Sequence, residues 1–298
     1  MLALDNYQHI TLKYPAPGVL ELQMNRPKKR NAFNRRHYLE IGHAFAHVIP
    51  SLTKCRCVLL TGSGTIFSAG IDLGSMSSDG IGGAVHGAGS TDGVVARATD
   101  VLKHGGQWQQ AHIAINKCKK PVICAIQKGC YGAALEMIAF ADIRFCTADC
   151  IFQAPEVDLG FAADIGGLQM LPKIIGNDSL LRELVLTGRR FDAAEAYKFG
   201  LVSRICSDYA DLMRQSLEVA TQIALKSPVA TQGVKTMLNY TRDHTVLDSM
   251  DFGLTWNAAF IQTNDTKIAG RAFMEKKKPL FPDAAPFSVL LKSTLSKL

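Results

Sequence analysis

The sequence predicts an α/β fold with a helical appendage, on three observations. Short apolar strands alternate with helical segments through about residue 206, glycine-bearing turns join strand to helix, and everything from about Asp208 onward reads as helix. The 298 residues, 47% hydrophobic and 20% charged, suffice for one large core plus a smaller appendage. The division drawn from this is a core over 1–206 and a helical region over 207–298.

The elements follow in order. "HITLKYP" and "GVLELQMN" alternate apolar and polar residues on either side of Pro15-Ala16-Pro17-Gly18, which predicts a hairpin. Asn34 is placed to cap a helix running to about Ile49, with Leu39, Ile41, Phe45 and Val48 as its inner face. "CVLLTG" reads as a buried strand ending at Gly62. The Gly/Ser-rich "GSMSSDGIGGAVHGAGS" after it reads as a mobile surface segment and fits no phosphate-loop pattern. A helix is expected over 93–117, then the strand "PVICAIQ", the helix holding Glu136, and the strands "DIRFCT" and "CIFQAP". Helices over 165–174 and 179–187, a short one in "FDAAEAYKFG" closed by Gly200, and the strand "LVSRIC" complete the core. No internal sequence repeat is visible.

Composition narrows the function. No apolar run approaches the roughly 18 residues of a membrane span. The N-terminus, "MLALDNYQHITLKYP", reads as mature protein with no targeting region. The eight cysteines lack paired metal spacing, Cys55-x-Cys57 being too close, so free thiols in a reduced compartment and no metal are expected. The net charge is +7, and basic residues gather at Arg26, Lys28, Lys29, Arg30, Arg35 and Arg36 with only Phe33 among them. That argues against a stacking platform for nucleic acid and leaves room for a phosphate-bearing small ligand. The final Ser296-Lys297-Leu298 is the peroxisomal address, so an import receptor is an expected partner and the peroxisome the expected compartment.

The chemistry gathers at three places. "CYGAALEMIAFAD" holds a single carboxylate, Glu136, in an otherwise apolar helix, where an ionised group costs several kcal/mol unless paired, hydrogen-bonded or protonated. Two strand-to-helix corners, Ser68 to Asp72 and Gly129 to Ala133, offer main-chain N–H groups suited to an oxyanion, although the same glycines would serve as plain turns. "APEVDLGFAADIGG" places Glu156, Asp158 and Asp164 in a loop whose Phe161, Ala162 and Ala163 want cover, which raises the proton affinity of its acids. Asp164 would serve equally as N-cap of a helix starting near Ile165.

Taken with "NRPKKRNAFN", "FSAGIDL", "KPVICAIQKGCYGAALEM" and "EAYKFGLVSRIC", these stretches resemble the crotonase (enoyl-CoA hydratase/isomerase) superfamily over nearly the whole chain. "EVDLGFAAD", "SPVATQG", "YTRDHTV", "TWNAAFIQTND" and the terminal SKL are most similar to the dienoyl-CoA isomerases, which convert 3,5-dienoyl-CoA to 2,4-dienoyl-CoA in fatty acid β-oxidation. The resemblance implies a spiral of ββα units followed by helices that drive assembly into trimers or hexamers. It implies that the N–H groups of Ile71 and Ala133 hold the thioester oxygen and that Ala69, Gly70, Ile71, Asp72 and Leu73 line the acyl-CoA channel. Lys29 and Arg30 are candidates for the CoA phosphates. Glu156 matches a glutamate shared with the hydratases, and Asp164 an aspartate that marks the isomerases. Glu136 departs, since the isomerases carry aspartate there and the hydratases glutamate; Gly132-Ala133-Ala134 departs too, where relatives show three glycines. The implied reaction takes a proton from C2 through Glu156 and delivers one at C6 through Asp164, or the reverse, with Glu136 tuning both. It needs no metal or redox cofactor, and CoA arrives as part of the substrate. A 2-enoyl-CoA hydratase, a 3-enoyl-CoA to 2-enoyl-CoA isomerase and an RNA-binding relative are the alternatives.

Overall fold

The computed structural model describes residues 7–74 and 93–283. The expected surface segment beyond Gly74 and the terminal SKL therefore lie outside the described residues. The predicted hairpin forms: β1 (Ile10–Ala16) runs antiparallel to β2 (Val19–Met24), with Gly18 at φ +78° in the turn. Helix α1 (Arg35–His43) starts where predicted, because the Asn34 side chain accepts a hydrogen bond from the His37 amide at 2.9 Å. It continues through a π-helical stretch, Ala44–Val48, and a last turn, Ile49–Ser51. The wider turn shifts the inner stripe by one residue, so Ile49 is buried and Val48 only half-buried. Leu39, one position off the stripe of Tyr38, Ile41 and Phe45, is 38% exposed, which corrects the expected inner face.

The chain then winds. Strands β3 (Cys57–Gly62), β4 (Val122–Ile126), β6 (Ile143–Thr147) and β9 (Arg204–Cys206) extend the hairpin into a six-stranded sheet of order β1-β2-β3-β4-β6-β9, parallel from β2 onward. Strands β5 (Gly129–Tyr131), β7 (Ile151–Gln153) and β8 (Phe191–Asp192) form a second sheet. Strands β3, β4 and β6 of the large sheet each hand the chain to the small one and then to a helix. After β3, Ser68 pairs with Cys130 of β5, and α2 (Val94–Lys117) follows. After β4 and β5 comes α3 (Ala133–Ile138); after β6 and β7 come α4 (Gly167–Ile174) and α5 (Asp178–Thr187). These are stacked ββα turns, repeated in the backbone though not in the sequence.

Burial on both faces explains why β4 and all of β3 before Thr61 are apolar. Val58, Leu60, Val122 and Cys124 enter the main core, while Cys57, Leu59, Ile123 and Ala125 enter a second core with Phe145. The second core is closed by Leu212, Ala220 and Ala224 of α7 (Tyr209–Ala224), which follows the short helix α6 (Ala193–Lys198) and β9. The expected division at 206/207 therefore runs through one packed unit, since α7 is a layer of the core.

Beyond it, α8 (Pro228–Thr241) is pinned by the buried Lys235, whose Nζ stands 2.7 Å from an Asp142 oxygen and donates to the Lys120 carbonyl at 3.1 Å. Helices α9 (Val246–Phe260) and α10 (Asn264–Met274) project further, and α9 buries none of its residues in this chain. Leu247, Met250, Leu254, Phe273 and Met274 are all exposed, an apolar face that the expected trimer or hexamer would have to cover. Among the described residues no helix is long and apolar enough to cross a membrane.

Candidate active site

The first corner is organised by a residue the sequence reading passed over. Asn31 is fully buried at φ +52°, a left-handed conformation that asparagine tolerates better than most residues. Its Oδ1 accepts from the Arg26 amide at 2.9 Å, and its Nδ2 lies within 3.1 Å of the carbonyl oxygens of Ser63, Ile66 and Phe67. Ser68 Oγ donates to the Asn31 carbonyl, and the Ala69 amide to that of Arg30. The Phe33 amide donates to the Gly70 carbonyl at 2.7 Å, and the Asp72 amide to the Phe33 carbonyl at 2.9 Å. In an extended segment successive amides point to opposite sides. With residues 70 and 72 bonded to Phe33, the Ile71 N–H faces the other way.

That other way leads to the second corner. The two are stitched together, the Ser68 amide donating to the Gly129 carbonyl at 3.1 Å and the Tyr131 amide to the Ser68 carbonyl at 3.2 Å. Gly70, at φ +81°, is required: a Cβ there would stand 2.5 Å from the Tyr131 carbonyl oxygen and 3.6 Å from the Ala133 amide nitrogen. Gly132, at φ +51°, then turns the chain into α3 with Ala133 as its first residue. Among the described residues, no hydrogen bond takes up the amide of Ile71 or of Ala133. The sequence placed two N–H corners in the chain, and the fold brings them side by side.

Of the three predicted acids, Glu136 and Glu156 line a cavity beside the second corner, and Asp164 follows Ala163 of that lining. Glu136, 5% exposed, forms no ion pair among the described residues; its Oε2 accepts from the Gly167 amide at 2.7 Å. Gly167 has to be glycine, since a Cβ would come within 2.8 Å of that same oxygen. Burial pushes the Glu136 carboxyl up to about 8, against the pull of the Gly167 amide and reinforced by Glu156 and Asp164. Glu156 is buried at the start of a short 3-10 turn, Glu156–Leu159, with Oε1 3.1 Å from where a Gly132 Cβ would stand. Burial raises its proton affinity, and the Asp164 charge adds to this. Glu136, Glu156, Leu135, Ala162 and Gly167 share a cavity of about 110 Å³. Asp164 sits at the exposed edge of the same loop, and partial burial raises its carboxyl as well. Its alternative role as a cap is overturned: α4 begins at Gly167, behind Gly166 at φ +113°, with no side-chain cap.

The basic loop adjoins the first corner. Lys29 and Arg30 are exposed, and the Arg30 carbonyl holds the Ala69 amide, so both lie beside the segment Ala69 to Leu73. Arg26 is not available to a ligand in the same way, because it pairs with Asp72 at 3.0 Å and donates to the Ala32 carbonyl. Asp72 thus braces the corner, while Leu73 is exposed. A larger groove of about 840 Å³ runs between α1 and α2, lined by residues such as His43, His47 and Lys103. It contains none of the acids, whereas the smaller cavity is lined by Glu136 and Glu156. Among the described residues no group of histidines, cysteines and carboxylates is arranged to hold a metal.

The Glu136 environment has a pH signature. With a folded value near 8 against an ordinary 4.5, folding takes up a proton between those values. Stability from this group is therefore fullest below about pH 4.5 and is lost as pH rises through about 8. Glu136→Gln keeps an oxygen for the Gly167 amide and removes the titration. Between about pH 5 and about pH 8, urea unfolding should show the parent losing a few kcal/mol that the variant does not. Parallel pH profiles for the two proteins would contradict the assignment.

Comparison with known proteins agrees with this geometry. Residues 16–284 match the enoyl-CoA hydratase/isomerase family. The mitochondrial Δ(3,5)-Δ(2,4)-dienoyl-CoA isomerase of Rattus norvegicus is 43% identical over 91% of this chain and 81% of its own. The peroxisomal enzyme of that name from Arabidopsis thaliana is 34% identical over 94% of this chain and 99% of its own. In fold, the crystal structure of an enoyl-CoA hydratase from Bacillus anthracis superposes with a TM-score of 0.82 over 93% of this chain and all of that one, at 24% identity. The chain belongs to the enoyl-CoA hydratase/isomerase family.

Proposed function

We propose that the protein is a dienoyl-CoA isomerase, which moves the double bonds of a 3,5-dienoyl-CoA to the 2,4 positions during fatty acid β-oxidation. The observation that carries the reading is the third carboxyl. Asp164 stands close enough to Glu136 and Glu156 to raise the proton affinity of both, and a double-bond shift across five carbons needs a proton station far from the thioester. The similarity to proteins named for this activity supports it.

The residues divide the work as follows. The amides of Ile71 and Ala133 receive the thioester oxygen, each contributing a few kcal/mol as negative charge develops there. Glu156, beside Gly132 and hence beside that oxygen, takes the proton at C2. The dienolate spreads its charge out to C6, where Asp164, farther along the loop, returns a proton. Glu136, neutral near pH 7 by virtue of its burial, adds no third negative charge to a site that must stabilise an anion. Lys29 and Arg30 lie where the CoA phosphates would meet exposed positive charge. One proton leaves, one arrives and no oxidation state changes, so the acids and amides suffice with CoA carried in by the substrate.

Asp164→Asn tests the second proton station. Asparagine keeps the volume of the side chain, so the variant should fold, yet formation of 2,4-dienoyl-CoA should fall by roughly two orders of magnitude or more. Deuterium uptake from heavy water at C2 should persist, because Glu156 and the amides remain. A variant that converts substrate at the parent rate would sink the two-acid mechanism.

We also propose that Ser296-Lys297-Leu298 addresses the enzyme to peroxisomes through the import receptor. Deleting Leu298 should leave activity in vitro intact and strand a fluorescently tagged protein in the cytosol. Continued import of the truncated chain, into peroxisomes or into mitochondria, would show that another signal directs it.

A further inference from the structure

Asp164 stands in a stretch with little to hold it. Gly166 and Gly167 follow it, Gly166 in a left-handed conformation, and no side chain caps the helix that comes next. Two side chains of α2 reach across to this bend. Gln109 Nε2 donates to the Asp164 carbonyl oxygen at 2.7 Å, and His112 Nδ1 donates to the Ile165 carbonyl oxygen at 2.9 Å. Three residues apart, they lie on one side of the helix and grip consecutive peptide groups.

We infer that Gln109 and His112 are positioning residues for the Asp164 carboxyl. The inference rests on the reading that Asp164 delivers the proton at C6. His112 is buried, its pKa pushed down to about 4 by that burial, so the ring is neutral at physiological pH and carries one proton. A carbonyl can only accept, so that proton sits on Nδ1. The ring lies 5.5 Å from the Phe140 ring, and Phe140 fills the space where a Cβ on Gly166 would fall, 2.5 Å from its Cζ. From the opposite side, Glu136 holds the Gly167 amide. The peptide groups of residues 164, 165 and 167 are thus tied to two helices, and the bend they fix carries the Asp164 carboxyl. Gln109 and His112 are not among the residues lining that cavity, so they act through the bend.

The test separates positioning from general support. Gln109 is exposed, so Gln109→Leu removes the donor without disturbing the core. Displacing the acid should lower kcat by roughly tenfold or more while KM changes less than about twofold. Deuterium uptake at C2 should stay at the parent rate, so the ratio of C6 to C2 incorporation falls by about the same factor as kcat. Gln109→Lys, which restores an N–H donor, should recover the ratio. His112→Phe, which fills the space without the donor, should reproduce the Gln109→Leu split. A parental ratio in Gln109→Leu, or equal loss at both carbons, overturns the inference. If Asp164→Asn itself keeps parental incorporation at C6, the reading of Asp164 fails. Loss in Asp164→Asn with parental behaviour in Gln109→Leu overturns the positioning role alone.

Discussion

The Glu136 carboxyl, bonded at 2.7 Å to the Gly167 amide, ties the helix that begins at one amide corner to the bend that carries the outermost acid. The surroundings follow from that contact. Gly167 leaves room for the oxygen, Phe140 of the same helix region packs into the space above Gly166, and Glu156 closes the other side of the cavity. Burial favours the neutral acid and the Gly167 amide favours the carboxylate, and burial prevails, with no ion pair to the carboxylate among the described residues. The group is thus a structural link and an electrostatic setting at once.

The winding of the chain supplies the other half of the site. Because each turn stacks on the last, Ser68 of one turn pairs with β5 of the next, and the corners that follow them come into register. Neither corner is complete alone. The first depends on Asn31, which gathers carbonyls from residues 63 to 67, and on the Arg26–Asp72 pair behind it. The second depends on Gly132 and on the β4–β5 connection. Two peptide N–H groups held by separate turns of a close-packed core have little to reorganise when charge appears between them.

What the sequence disclosed was local. The hairpin, the Asn34 cap and the buried strands rest on alternation and capping, which neighbouring residues settle between themselves. The inner face of α1 was misread at Leu39 and Val48, because a π-helical stretch changes the periodicity without an obvious mark in the sequence. The cap expected at Asp164 failed because Gly166 turns the backbone before the helix can start. The acids were legible as carboxylates in apolar company, and the family likeness gave them order. The partners of Asp164 and Ile165 were not legible, because they lie 55 and 53 residues upstream in a helix whose pattern reports only its own core face. Asn31 was hidden for a like reason, its acceptors standing more than 30 residues away.

Glu136 and Glu156 line one cavity, the pair expected of a hydratase, and Asp164, next to the lining Ala163, is the acid whose proposed role separates the isomerase from that pair. Steady-state kinetics of the unmodified enzyme on 3,5-dienoyl-, 3-enoyl- and 2-enoyl-CoA esters of one chain length measure that distinction. The account predicts that kcat/KM for the shift to 2,4-dienoyl-CoA exceeds that for water addition to the 2-enoyl ester by roughly a hundredfold or more. Rapid hydration with no dienoyl shift would contradict it.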